Sequence, residues 1–351
     1  MSITNMKRMN FNRRWMKRIC LVIWIILAQA SSFAQENVRV DAVGITVSDM
    51  DKALEFYTRV LPFEKISEVQ VYGTAFENLK GLFGIHYKKV RLRLGSEEIE
   101  LTDFLTSGGR NIPDDSRSND LWFQHIAIVV SNMDSAYAHL QKFNVGHVST
   151  YPQVLPEYIK PAAGIKAFYF QDPDRHTLEL IFFPAGKGDP KWQQPTQRIF
   201  LGIDHTAIGV SKTDESRRFY DLLGIKKHGE SINYGPEQEH LNHVQGARLR
   251  ISGNRAQGGI GVEFLEYLSP KDGRPYPEAS KADDLIHWET ILVTTNAQSL
   301  FEKLKSGGAR FISSEVVAIP TSKYGYQKGF YFRDPDGHVI GVFEEVQTGS
   351  H

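Results

Sequence analysis

Four times along the chain a short run rich in β-branched residues gives way to a segment with apolar residues at helical spacing. The four stretches are VDAVGITVSDMDKALEFY from Val40, FQHIAIVVSNMDSAYAHL from Phe123, IDHTAIGVSKTDESRRFY from Ile203 and HWETILVTTNAQSLFEKL from His287. The pattern predicts a strand followed by an amphipathic helix in each. Ser, Thr, Asp or Asn closes each strand and can cap the helix that follows. In the first helix Ala53, Leu54, Phe56, Tyr57, Val60 and Leu61 form one apolar face. Each stretch runs on to a closing strand: IELTDF from Ile99, LELIFF from Leu178, VEFLEY from Val262 and IGVFEE from Ile340. Before the second and fourth closing strands stand Asp172-Pro173-Asp174-Arg175 and Asp334-Pro335-Asp336-Gly337. Pro and Gly there predict turns with a structural role.

The repeat is regular. Ala42, His125, His205 and Glu289 share one place in the opening strands. Glu100, Glu179, Glu263 and Gly341 share one place in the closing strands. Opening to closing place, the separations are 58, 54, 58 and 52 residues. Modules one and three are offset by 163 and 163, two and four by 164 and 162. The chain therefore reads as a duplicated pair of βαβββ modules, spanning 38–107, 121–186, 199–270 and 284–347. By chain order they group as a first domain, 38–186, and a second, 199–347. One such module cannot cover its own sheet face and must pair with another. The expected architecture is α+β, with four modules paired into two curved, open-barrel sheets of eight strands. A concave sheet face suits a small-molecule substrate.

The 351 residues carry 41 basic and 41 acidic side chains, and that zero balance gives no support for nucleic-acid binding. It hides an asymmetry. Residues 1–34 hold six basic residues and no acidic one, so the rest carries 35 against 41. The basic block precedes an apolar run from Ile19 to Ala30 and then Ser32-Phe33-Ala34. This is the order of a secretory leader, with cleavage expected near Ala34. The run is too short to span a bilayer. An exported chain, periplasmic or extracellular and without a membrane anchor after cleavage, is expected. The one cysteine, Cys20, lies in the leader. The mature chain would hold no thiol to mispair in an oxidising compartment.

Histidine and glutamate recurring at inward strand positions point to a divalent metal. Imidazole nitrogen with carboxylate oxygen suits Zn, Ni, Co, Mn or Fe(II). Open coordination positions would go to water and substrate. Other candidates are weaker. His240 and His243 are three apart, and His287 could replace Glu289 if the register slips by two. His176 and His338 follow the turns and are expected as turn or surface residues. Tyr169 and its repeat mate Tyr331 could be core residues, or Tyr169 could donate to substrate.

The repeat, the VDAVGITVSDMDKALEFY type of opening, the DPDRHTLEL closing and the His/Glu placement resemble the vicinal oxygen chelate superfamily of glyoxalases, bleomycin-binding proteins and extradiol dioxygenases. The resemblance covers about Val38 to Val346. It implies metal ligands on the first and last strands of each module. His125, Glu179, His205 and Glu263 match that pattern, with Glu179 or Glu263 able to leave the metal and act as base. Ala42 and Gly341 do not match, and Glu289 replaces a histidine. Consecutive pairing of modules would give two three-ligand sites, Glu100 with His125 and Glu179, and His205 with Glu263 and Glu289. Exchanged pairing would give one four-ligand site, His125, Glu179, His205 and Glu263, and leave Glu100 and Glu289 metal-free. The three departures fall in modules one and four, which favours the exchange; chain order favours neighbours. The resemblance implies a metal-dependent lyase or isomerase. An Fe(II) extradiol-type dioxygenase and a non-catalytic drug-binding protein are the alternatives.

Overall fold

The computed structural model describes residues 37–346. The leader, Cys20 and the cleavage point near Ala34 lie outside the described residues. Module one runs β1 (Arg39–Val47), α1 (Met50–Glu55), β2 (Glu64–Tyr72), α2 (Thr74–Lys80), β3 (His86–Leu94) and β4 (Glu97–Phe104). Module two runs β5 (Gln124–Val130), α3 (Met133–Gln141), β6 (Gly146–His147), β7 (Gln153–Val154), β8 (Lys166–Gln171) and β9 (Thr177–Phe182). Module three runs β10 (Phe200–Gly209), α4 (Thr213–Leu222), β11 (Lys226–Tyr234), α5 (Pro236–Asn242), β12 (Arg248–Arg255), β13 (Gly258–Gly259) and β14 (Gly261–Ser269). Module four runs β15 (Trp288–Val293), α6 (Ala297–Ser306), β16 (Arg310–Phe311), β17 (Val317–Ala318), β18 (Tyr326–Arg333) and β19 (Val339–Glu345). No helix among the described residues is long and apolar enough to cross a membrane.

Capping explains where the long helices begin. Asp49 accepts from the amides of Asp51 and Lys52, Asn132 from Ser135 and Asn296 from Ser299. The third module departs from this. Lys212 holds the cap position without a side-chain bond, and Glu266 of β14 accepts from the Thr213 amide instead.

The modules pair by exchange. One curled sheet has the order β16-β18-β19-β15-β1-β4-β3-β2, from modules four and one. The other has β11-β12-β14-β10-β5-β9-β8-β6, from modules three and two. At their centres β1 runs antiparallel to β15, and β5 to β10. This corrects the grouping of 38–186 and 199–347 as self-contained halves, since neither half closes its own sheet. The physical reason is that consecutive modules meet through helices and turns, leaving β1 and β5 free to pair elsewhere. Tyr57 donates to Asp172 at 3.2 Å, tying module one to module two across the sheets. Tyr220 donates to Asp334 at 3.2 Å, tying module three to module four.

One continuous core links all four modules. Val43 and Ile45, Ile126 and Ile128, Ile203 and Ile208, and Trp288 and Leu292 all enter it. Alternation along β5 sends Ile126 and Ile128 to that core and His125 and Ala127 to the opposite face. The inward places of the repeat thus face the concave side.

Candidate metal centre

Four neighbouring strands of the second sheet, β9-β5-β10-β14, carry Glu179, His125, His205 and Glu263. Their register is symmetric. Ala127 lies across from both His205 and Glu179, and Ala207 across from both His125 and Glu263. Two alanines at the crossing points leave room for four long side chains to converge.

The ligand atoms offered by His125, Glu179 and His205 lie within 4.8 Å of one another, and all three residues are buried. His125 Nε2 is 3.1 Å from Glu179 Oε2. His205 Nε2 is 3.6 Å from Glu179 Oε2 and 3.6 Å from Glu263 Oε1. Those last separations are too long for hydrogen bonds, and the buried nitrogen has no other partner. On the other side of the ring, His205 Nδ1 donates to Asp204 Oδ2 at 2.9 Å. Once the ring is neutral, that bond keeps its proton on Nδ1 and leaves Nε2, which lies between two carboxylates, free for a metal, the arrangement by which a carboxylate orients a metal-binding imidazole. The donor set therefore fits a divalent cation of the kind the sequence suggested.

The electrostatics agree. Burial alone would depress the His205 imidazole, but Glu263, Asp204 and Glu179 outweigh it and push the pKa up to about 9. For His125 burial prevails over Glu179 and holds it below the ordinary range. Burial pushes the Glu263 carboxyl up, with His205 opposing and the Glu179 and Asp204 charges reinforcing it. Asp204 is held well below the usual range despite burial, by His205, Arg255 and the Trp192 indole.

A cavity of about 670 Å³ opens on the cluster, and Tyr169, Glu179, His205 and Glu263 line it. The corresponding places of the two sheets are filled differently. Across from Glu263 on β12 stands Gly253, where an added Cβ would meet nothing within 4 Å. Across from Glu100 on β3 stands Arg91. Lys89 contacts both Glu100 oxygens at 3.1 and 3.0 Å. Lys80 pairs with Glu289, and Tyr331 donates to Glu289 at 2.7 Å. At Gly341 an added Cβ would come within 2.6 Å of the Tyr331 ring. Ammonium groups and tyrosines thus surround Glu100 and Glu289, where the second sheet has the His125, Glu179 and His205 cluster and its cavity. Glu100 and Glu289 belong to these pairs, and the three-ligand sets of consecutive pairing are not formed.

The other sequence candidates fall as follows. Tyr169 is buried, with its ring 4.9 Å from that of His125. His287 Nε2 lies 2.8 Å from Glu289 Oε1, in the first sheet. His240 and His243 are exposed, and His243 ends α5 in the left-handed conformation. His176 and His338 correct the surface expectation, for both are buried. His176 donates from Nε2 to the Leu285 carbonyl at 2.7 Å, and His338 to that of Gly209 at 2.7 Å. Asp204, which accepts from His205 Nδ1, was overlooked. Its signal was present, since Asp41 and Asp204 recur at the repeat offset.

The sequence profile described as Glyoxalase/Bleomycin resistance protein/Dioxygenase superfamily matches residues 39–180 and 202–342. A 2-epi-5-epi-valiolone epimerase from Actinomyces sp is 30% identical over 169 residues, covering 46% of this chain and 88% of the relative. A lactoylglutathione lyase from Schizosaccharomyces pombe is 22% identical over 331 residues, covering 90% of this chain and 99% of the relative. Among solved structures, glyoxalase I from Zea mays superposes with a TM-score of 0.59 at 16% identity, covering 88% of this chain and 93% of that one.

Proposed function

Because the chain belongs to the Glyoxalase/Bleomycin resistance protein/Dioxygenase superfamily, we propose that it is a divalent-metal enzyme of lyase or isomerase type. Its substrate is a small molecule with two adjacent oxygens, one of them a carbonyl. The observation that carries this reading is His205 Nε2, buried, without a hydrogen-bond partner and flanked by two carboxylates. His125, Glu179, His205 and Glu263 would hold the cation. When bound, it supplies Lewis acidity that makes a C–H beside the carbonyl easier to deprotonate.

The protein's own groups divide the remaining work. Glu263 takes and returns the proton, for its side chain is 23% exposed against 6% for Glu179. Its raised carboxyl pKa suits a group that must both accept and release a proton. Glu179, held beside His125, keeps its place. Asp204 positions His205. A relative named as an epimerase and another named as a lyase support this class. The three ligand atoms within 4.8 Å of one another come from two imidazoles and one carboxylate, the iron oxygenases' set. The lyase or isomerase class therefore rests on Glu263, 3.6 Å from His205, joining as a fourth donor.

The test is metal analysis of the purified protein, with solvent-deuterium incorporation into a panel of α-hydroxyketones. Bound metal, and exchange that disappears in His205→Ala, are expected. Undiminished exchange by fully chelated protein would sink the proposal.

A further inference from the structure

The cavity's charge and its polar wall describe the substrate further, and this step rests on the metal-enzyme reading above. Five carboxylates line the cavity: Glu179, Asp189, Asp204, Glu230 and Glu263. Arg255 is the single Arg or Lys lining it among the described residues. That guanidinium is already engaged, donating to the Asp204 carbonyl at 3.0 Å and to Asp204 Oδ1 at 2.9 Å. A divalent cation would be offset by Glu179 and Glu263, its own ligands. Glu230 is paired with Arg217, Lys227 and Arg250 outside the lining. No unpaired Arg or Lys therefore lines the cavity to meet an anionic group on the substrate, and Asp189 remains as a negative charge.

The same cavity has a wall of neutral hydrogen-bonding groups. Ser231 Oγ donates to Asn233 Oδ1 at 2.7 Å, and Asn233 Nδ2 donates to Gln238 Oε1 at 3.0 Å. Gln238 Nε2 donates in turn to Asn242 Oδ1. Ser231, Asn233 and Gln238 line the cavity, and Asn233 and Gln238 are almost fully buried. The chain of bonds ends at Asn242 Nδ2, buried without a partner. Each internal amide spends one donor and one acceptor on its neighbours. A second N–H on Asn233 and Gln238 and the Ser231 lone pairs remain. Such groups, already desolvated and fixed, match hydroxyls, which both donate and accept. They offer a carboxylate or phosphate no compensating charge. Burying an ionised group against them would be costly.

We infer that the substrate is an uncharged, polyhydroxylated keto compound, selected by the Ser231-Asn233-Gln238 wall together with a cavity lining that holds no unpaired Arg or Lys. Asn233 and Gln238 are the specificity-determining residues.

The experiment uses calorimetric titration of the metal-loaded full chain with a matched pair, D-xylulose and D-xylulose 5-phosphate. Xylulose is expected to bind at least about tenfold more tightly than its phosphate ester, a difference in the range of one unmatched buried charge. Gln238→Glu, which keeps the side chain's shape, should weaken xylulose binding roughly tenfold by removing a donor, with metal content unchanged. Asn233→Leu gives a second reading with a neutral side chain. Tighter binding of the phosphate ester, or xylulose binding indifferent to both substitutions, overturns the inference. Metal content and deuterium exchange report separately on the enzyme reading, so the two can fail independently.

Discussion

Lys80 and Asn242 hold the same place in the two sheets. Each is the last residue of a short helix, Thr74–Lys80 and Pro236–Asn242. Lys80 donates to the hydroxyl of Tyr331 at 3.1 Å, and Asn242 stands beside Tyr169, the repeat mate of Tyr331. Lys80 beside Glu289, with Lys89 beside Glu100, neutralises the first sheet's carboxylates from within, where the second sheet has no lysine at the corresponding helix end. The chain is therefore expected to bind one metal ion, not two. Elemental analysis against protein concentration checks the ratio, and a ratio of two would contradict the internal-cation account.

Lys80 also anchors the first sheet. Lys80→Met leaves Glu289 buried beside His287 without its cation, at an expected cost of about 3–5 kcal/mol. Adding Glu289→Gln should recover most of that loss, because a neutral pair needs no compensation. Urea unfolding of the single and double variants measures both, and metal content should not change in either.

Asp204 is expected to act through His205. Asp204→Asn keeps the shape but can present its amide N–H to Nδ1, favouring the tautomer that puts a proton on Nε2. Loss of such an orienting carboxylate weakens metal binding roughly 10- to 100-fold. Competition with a chelator of known affinity reads the change. An unchanged affinity would show that the Asp204 contact does not set the tautomer.

The turn at Asp172 carries more than a change of direction. Its carboxylate accepts from Tyr57 at 3.2 Å and from His176 Nδ1 at 2.8 Å. Asp172→Ala strands both buried partners and is expected to destabilise the fold by about 3 kcal/mol. The effect should appear in denaturant midpoints while metal affinity holds, since the clamp lies between modules rather than at the cluster.

Much of this arrangement was legible in the residue pattern. Period-two alternation placed His125, Glu179, His205 and Glu263 on inward faces, and the repeat offsets put them in register. Which modules share a sheet was signalled only by the departures at Ala42, Glu289 and Gly341, because the alternation along β1 is the same whether it meets β5 or β15. The pairing of β1 with β15 and of β5 with β10 settles it. Lys80 was invisible for another reason. A lysine closing an amphipathic helix reads as solvated, and only the buried Glu289 and Tyr331 beside it give it an interior role. His176 and His338 were misread likewise, since carbonyl partners cannot be found from side-chain chemistry.

Export is a separate expectation. Chain expressed with its leader and recovered outside the cytoplasm should begin near Gln35 and contain no cysteine. Intact-mass measurement decides it, and retention of Cys20 would rule cleavage out.

The pH dependence should run in opposite directions with and without metal. In the metal-free protein His205 has a pKa of about 9 against an ordinary 6.5. A raised folded-state pKa means that its stabilisation is whole below about 6.5 and drains away as pH climbs through about 9. A difference of that size corresponds to roughly 3 kcal/mol, so the metal-free chain should melt earlier at pH 9.5 than at pH 6.5. Metal binding requires the same nitrogen to be free of its proton. Affinity should thus rise with pH, by up to about tenfold per unit, and level off above about 9. Binding near neutrality should accordingly release a proton, seen as acidification of a weakly buffered solution. His205→Ala should flatten the first slope, and matching slopes of the same sign in both states would contradict this assignment of the titrating group.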